Sequence, residues 1–158
     1  PDSQGWTQVT SAFGDGILNE DRRIDRSKLG TIVFNDGAAL ERLNSIMHPL
    51  IYSLAEKRIE DLSQNGASVV VLEAALLIEA NWVSLVDEIW VTVSNEGDVV
   101  NRIKERNGLS EDAIRARMSA QMSQVERVSH ADVVIENVES LNNLDIQIQD
   151  LWRKRVLD

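Results

Sequence analysis

An α/β fold built on a parallel sheet follows from three observations. Two apolar, β-branched runs at 68–72 and 89–93 carry no polar alternation, a third lies at 132–135, and helical stretches separate them. Runs without alternation belong to strands covered on both faces, and strands joined through helices pair in parallel as β-α-β units. Such units give a three-layer arrangement of helices on either side of a sheet. Three strands make a narrow sheet, so a further strand is expected from outside these residues.

The elements read in order as follows. Residues 1–6 are an irregular lead-in to a short amphipathic helix at 6–13, which Gly14, Asp15 and Gly16 end in a turn. A second short helix starts at Ile24-Asp25-Arg26, with Leu29, Ile32, Val33 and Phe34 available to pack inward, and Asn35, Asp36 and Gly37 interrupt it. Over 38–62 the residues Leu40, Leu43, Met47, Leu50, Ile51, Leu54 and Leu62 recur at helical spacing, with Asp36 as N-cap and Asn65-Gly66 as stop. Pro49 is expected to kink or split that helix, because its ring displaces a backbone hydrogen bond, and to fix His48 at the bend. Helices at 96–106 and 111–124 precede the third strand, and a final helix covers 141–156.

Composition narrows the function classes. At 158 residues one domain is the natural expectation, and 43% hydrophobic against 27% charged residues excludes a disordered chain. The absence of cysteine removes disulfides, thiolate metal ligands and cysteine nucleophiles. With only His48 and His130 available, no histidine-based metal site is expected. No apolar stretch approaches the roughly 20 residues that span a bilayer. The net charge of -10 argues against nucleic-acid binding. Its distribution is uneven, for residues 101–127 hold six basic and four acidic groups and stand at +2, leaving -12 for the rest.

Ligands of an open parallel sheet bind beyond the carboxyl ends of its strands. Glu73 and Glu79 follow the first Val-rich run there, placed to hydrogen-bond a ribose or amine or to order water around a bound Mg2+, or else Glu79 caps or braces the next helix. Arg102 and Arg106, four residues apart, share a helical face, where a phosphate between them relieves their repulsion. Asn107-Gly108-Leu109-Ser110 breaks that helix, Ser110 caps the next, and Arg115 and Arg117 stand on the returning limb. Two readings stay open: a phosphate-closing lid, or a surface hairpin whose arginines pair with Glu105, Glu111 and Asp112. The chain holds no G-x-x-x-x-G-K-[ST], no G-x-G-x-x-G and no G-x-S-x-G.

The order of short motifs resembles the dephospho-coenzyme A kinase family across essentially the whole chain. The residues are Ile24-Asp25-Arg26 with Leu29, Val33 and Phe34; Met47-His48-Pro49; Leu76-Leu77-Ile78-Glu79; Arg102 to Arg106 with Gly108-Leu109-Ser110; Ala120-Gln121; and Ala131 to Asn137. E-A-A-L-L-I-E-A-N-W, W-V-T-V, R-N-G-L-S-E-D-A and A-Q-M-S-Q are most similar to the kinase domain of the animal bifunctional coenzyme A synthase. Two positions depart from the family pattern: Ala75 replaces the usual proline, and Val138 and Glu139 stand where a glycine is common.

The resemblance implies a P-loop-kinase-like fold and transfer of the ATP γ-phosphoryl group to the ribose 3'-hydroxyl of dephospho-coenzyme A, with Mg2+. It implies that 14–65 form a helical substrate-side region with Arg26 and His48 near the acceptor, joined by Glu73 and Glu79. Residues 101–124 become a lid that brings Arg102, Arg106 and Arg117 to the phosphates, and Asn137 lies beside the adenine. It further implies a cytoplasmic or mitochondrion-associated protein joined upstream to an adenylyltransferase domain. Family members begin with a strand, a P-loop, a helix and an Asp-bearing segment that match nothing here, so the 158 residues alone are expected to be nearly inactive. The alternative is a non-catalytic, kinase-like module that binds nucleotide or coenzyme A.

Overall fold

The structure, a computed structural model, describes residues 1–157 and divides into two compact units, Pro1–Asn65 and Gly66–Asp158.

The first unit is helical. Helix α1 (Gln4–Phe13) starts where the Ser3 side chain accepts from Trp6 N–H, and a 3-10 turn (Asp15–Ile17) follows it. Helix α2 (Arg26–Val33) is capped by Asp25, whose Oδ1 accepts from Ser27 N–H at 2.9 Å and Lys28 N–H at 3.2 Å. Helix α3 (Gly37–Gln64) is capped in the same way by Asp36. Both α1 and α2 pack on α3.

Val9, Ile17 and Leu18 form the buried centre of this unit, with Trp6, Phe13, Ile24, Leu29, Leu43, Ile46 and Met47 packed against it. Leu18 and Ile24 bridge antiparallel, and Lys28 Nζ donates to the Leu18 carbonyl at 2.8 Å. The Trp6 indole N–H donates to the Arg22 carbonyl at 2.9 Å while the Arg22 guanidinium lies 5.9 Å from the ring centre.

Two expectations are narrowed here. Of the kink or split expected at Pro49, the split does not occur, for α3 continues for 28 residues with the proline inside. A proline removes one backbone bond and leaves the turns on either side intact, so His48 belongs to a continuous helix and not to an interruption. Of the four apolar side chains expected to pack inward from α2, Val33 is buried and Leu29 half-buried, but Ile32 and Phe34 are exposed. Phe34 lies at the C-cap, beyond the last residue of α2.

The second unit is α/β with a parallel sheet. Strands β1 (Trp90–Val93) and β2 (Val133–Glu136) pair parallel, Trp90 opposite Val133 and Val93 opposite Glu136. Between them run α4 (Glu96–Asn107), α5 (Glu111–Ser119) and α6 (Gln124–Ser129), and α7 (Leu141–Trp152) follows β2 and packs on it. A π-helical turn, Arg153–Leu157, closes the described chain. Asp132 sets the register, its carboxylate accepting from Ile89 N–H at 2.8 Å while its own N–H donates to the Ile89 carbonyl at 2.9 Å.

The expected strand at 68–72 does not form. No ladder pairs it among the described residues, and Val69 and Val71 are 41% and 76% exposed. An apolar run becomes a strand only when a neighbouring strand satisfies its N–H and C=O groups. The helix expected over 111–124 ends at Ser119, and a separate helix, α6, starts at Gln124, where Ser123 and Glu126 make a capping box.

Candidate functional site

The carboxyl ends of β1 and β2 converge on Asn137. Its N–H donates to the Val93 carbonyl at 2.8 Å, extending the parallel ladder by one bond. Its carbonyl accepts from Ser94 Oγ at 2.8 Å and from Arg102 Nη2 at 3.4 Å. The residue after each strand and one arginine of α4 therefore meet at a single peptide group. Ser94 N–H also donates to Gln124 Oε1 at 3.3 Å, which ties the end of β1 to the start of α6. The sheet-edge rule was applied only after the first apolar run, at Glu73 and Glu79, and Asn137 entered through the resemblance; Ser94 and Gln124 were missed, although Ser94 stands one residue beyond the predicted strand.

The arginines of the helical hairpin divide into two kinds. Arg115 bonds Glu96 at the start of α4 and, at 2.8 Å, Glu111 at the start of α5, joining the two limbs. These carboxylates, Glu111 above all, hold its pKa above the usual guanidinium value. Arg102 and Arg106 are exposed and, among the described residues, in no ion pair. Arg106 Nε donates to the adjacent Asn107 side chain at 2.9 Å. The surface-hairpin reading thus describes Arg115, while Arg102 and Arg106 keep charge to offer an anion. Arg117 lies in the last turn of α5 with its side chain exposed.

The hairpin has the turn chemistry expected of 107–110. Gly108 ends α4 with φ of 64°, a left-handed conformation that glycine adopts at little cost, and its N–H donates to the Lys104 carbonyl. Ser110 caps α5 through Ala113 N–H.

Glu79 is half-buried, and its Oε1 accepts from Met122 N–H at 3.1 Å. Glu73 is exposed in the irregular segment before the turn at 75–81. In the first unit, Arg26 is the exposed first residue of α2 and His48 is half-buried within α3. Of the sequence-predicted residues, the structure thus brings Arg102 and Asn137 together. A shallow cleft of about 130 Å³ lies beside the end of β2, lined by Glu136, Val138, Glu139, Asn143 and Gln147. No group of three metal-ligating side chains occurs among the described residues. No described helix is long and apolar enough to cross a membrane.

A model of one protein family, dephospho-CoA kinase, matches residues 1–143. The chain belongs to the dephospho-CoA kinase family. It is 41% identical over 155 residues to a dephospho-CoA kinase of Geobacter sulfurreducens, covering 98% of this chain and 79% of the relative. A dephospho-CoA kinase of Carboxydothermus hydrogenoformans is 43% identical over 154 residues, covering 98% and 75%. Among solved structures, a Thermus thermophilus protein superposes with a TM-score of 0.73 at 29% identity, covering 95% of this chain and 76% of that one. A dephospho-CoA kinase from Campylobacter jejuni gives 0.60 at 25% identity, covering 92% and 74%. The dephospho-CoA kinase family thus accounts for the motif order from Ile24 to Asn137 and for the parallel sheet.

Proposed function

We propose that this protein phosphorylates dephospho-CoA with ATP, giving CoA and ADP. The observation that carries the reading is the family match over residues 1–143, together with 41% identity across 98% of the chain. The 3'-hydroxyl oxygen of the ribose forms a bond to the γ-phosphorus, the bond from that phosphorus to the β,γ-bridging oxygen breaks, and the hydroxyl proton leaves. Phosphoryl transfer of this kind needs aligned reactants and neutralised charge more than covalent help from the protein.

Residues 101–124 serve as a lid over the phosphates in a P-loop-kinase-like, three-layer arrangement. Arg102, Arg106 and Arg117 supply its positive charge, and the absence of ion pairs on Arg102 and Arg106 supports that role. Asn137 stands on the nucleotide side, its backbone held by Val93, Ser94 and Arg102. Residues 14–65 form the substrate-side region, with Arg26 and His48 toward dephospho-CoA; Glu73 is assigned to the same substrate. Phosphate cradling by a P-loop and removal of the hydroxyl proton are assigned to no residue among the 158. Mg2+ would add charge neutralisation on the ATP phosphates. It commonly keeps several waters and takes few protein ligands. The bifunctional context, with an upstream adenylyltransferase domain and a cytoplasmic or mitochondrial setting, rests on the resemblance of short motifs alone.

Incubating the purified full-length protein with ATP and dephospho-CoA, and following ADP and CoA by chromatography, tests the reading. Equimolar formation of both is expected. A folded protein that binds both substrates and forms neither product would overturn it.

A further inference from the structure

Two side chains hold one residue at the foot of the helical hairpin. Met122 lies in the connection 120–123 between α5 and α6. Its N–H donates to Glu79 Oε1 at 3.1 Å across 43 residues of sequence, and its carbonyl accepts from Arg127 Nη1 at 2.8 Å. All three residues are half-buried. A charged group bonded to a backbone polar atom makes a stronger hydrogen bond than a neutral pair.

The carboxylate comes from a well-braced support. Glu79 lies in the turn at 75–81, where Ala80 N–H donates to Leu76, Asn81 N–H to Ile78 and Trp82 N–H to Leu77. Trp82 is buried at 7% exposure. On the other side of Met122, the Ser123–Glu126 capping box and the bond from Ser94 to Gln124 tie α6 to β1. Beyond Met122 toward the tip, the limbs carry Arg106 and Arg117.

We infer that Glu79 is a positioning residue for the reaction. With Arg127 it fixes the Met122 backbone as the stationary foot of the hairpin, so that the arginines of α4 and α5 reach the transferring phosphoryl group in register. The inference rests on the phosphoryl-transfer reading above. It follows from the geometry of a lever: a displacement at the foot is carried to the tip, and misplacing a charge by about 1 Å is enough to slow such a reaction severely. It also gives the glutamate of Leu76-Leu77-Ile78-Glu79 a task other than substrate binding, because its oxygen already holds Met122 N–H.

The test compares Glu79→Ala, Glu79→Gln and Arg127→Gln in the purified full-length protein. The readouts are kcat, KM for each substrate, the thermal midpoint and hydrogen exchange of the Met122 amide. Glu79→Ala should lower kcat by about tenfold, the scale of one lost charge-assisted bond, with each KM within about twofold and faster exchange at Met122. Glu79→Gln keeps an acceptor oxygen and should recover most of that loss. Arg127→Gln should lower kcat in the same way.

An unchanged kcat in folded Glu79→Ala overturns the inference. So does a raised KM for dephospho-CoA in both Glu79 variants with Met122 exchange unaltered, which would make Glu79 a substrate contact. If Glu79→Ala does not fold, Arg127→Gln decides: loss in kcat alone supports the anchor, and unchanged kcat refutes it. Absence of turnover in the unsubstituted protein would refute the kinase reading, and Met122 exchange would still report on the anchor.

Discussion

The guanidinium of Arg102 and the carbonyl of Asn137 meet at 3.4 Å, although 35 residues separate them in sequence. Ser94 Oγ reaches the same carbonyl at 2.8 Å. An arginine of α4, proposed as a lid residue, is thereby held against the residue proposed for the nucleotide side, at the end of the sheet where ligands of parallel folds bind.

Replacing Ser94 with Ala removes the shorter of those two bonds. The cost to stability should be about 1 kcal/mol, that of one ordinary hydrogen bond. If Asn137 faces the nucleotide, its loosened backbone should raise KM for ATP a few-fold and leave KM for dephospho-CoA unchanged. Steady-state kinetics with each substrate varied in turn would decide. Equal changes in both constants would detach Asn137 from the nucleotide.

Arg106 should matter to chemistry and little to folding. Its side chain is exposed and donates to the side chain of its neighbour Asn107. Arg106→Ala should lower kcat by about 10- to 100-fold, a loss typical of removing one charge that stabilises a transition state, with the thermal midpoint nearly unchanged. Parallel loss of midpoint and activity, with full turnover per folded molecule, would make it a structural residue.

Ile114 supplies the contrasting case. It is completely buried on α5, which packs on α4. Ile114→Ala should cost about 2–5 kcal/mol in chemical denaturation, from lost burial and the cavity left behind. A cost below about 1 kcal/mol would mean that the hairpin collapses onto the gap, and that its core is softer than its burial suggests.

Much of this architecture was legible wherever a local signal decides the backbone. Asp25, Asp36, Ser110 and Gly108 mark helix ends because a side-chain oxygen or a left-handed glycine satisfies orphan backbone groups within a few residues. The run 68–72 misled because β-branched residues signal an apolar setting without supplying the neighbour that completes a ladder. The break at 120–123 was legible in principle, since Ser123-Gln124-Val125-Glu126 has the capping-box pattern, but the apolar spacing across it hid the stop. Paired bonds such as Glu79 with Met122 span 43 residues and have no local signature. Hence the shared face of Arg102 and Arg106 could be read from spacing, whereas long-range bonds such as that of Glu79 to Met122 could not.

The same capping box carries a pH dependence with a definite sign. Glu126 Oε2 accepts from Ser123 Oγ at 2.8 Å and from Ser123 N–H at 3.1 Å, and Ser123 Oγ accepts from Glu126 N–H at 3.2 Å. The hydroxyl bond first, then the backbone bond, and last the charge of His130 hold the Glu126 carboxyl below its ordinary pKa. In the unfolded chain it returns to about 4.3. Between the lowered and the ordinary value the unfolded state binds more protons, so stability rises with pH there. The contribution is fully present above the ordinary carboxylate range and is lost as pH falls through the lowered folded value. Carboxyl chemical shifts of Glu126 followed against pH should titrate below the ordinary glutamate value, with Ser123 amide exchange accelerating over the same interval. Glu126→Gln should abolish that acceleration while α6 remains helical. A Glu126 titration at or above the ordinary value would mean that the Ser123 bonds do not persist in solution, and α6 would then lose its fixed start beside Met122.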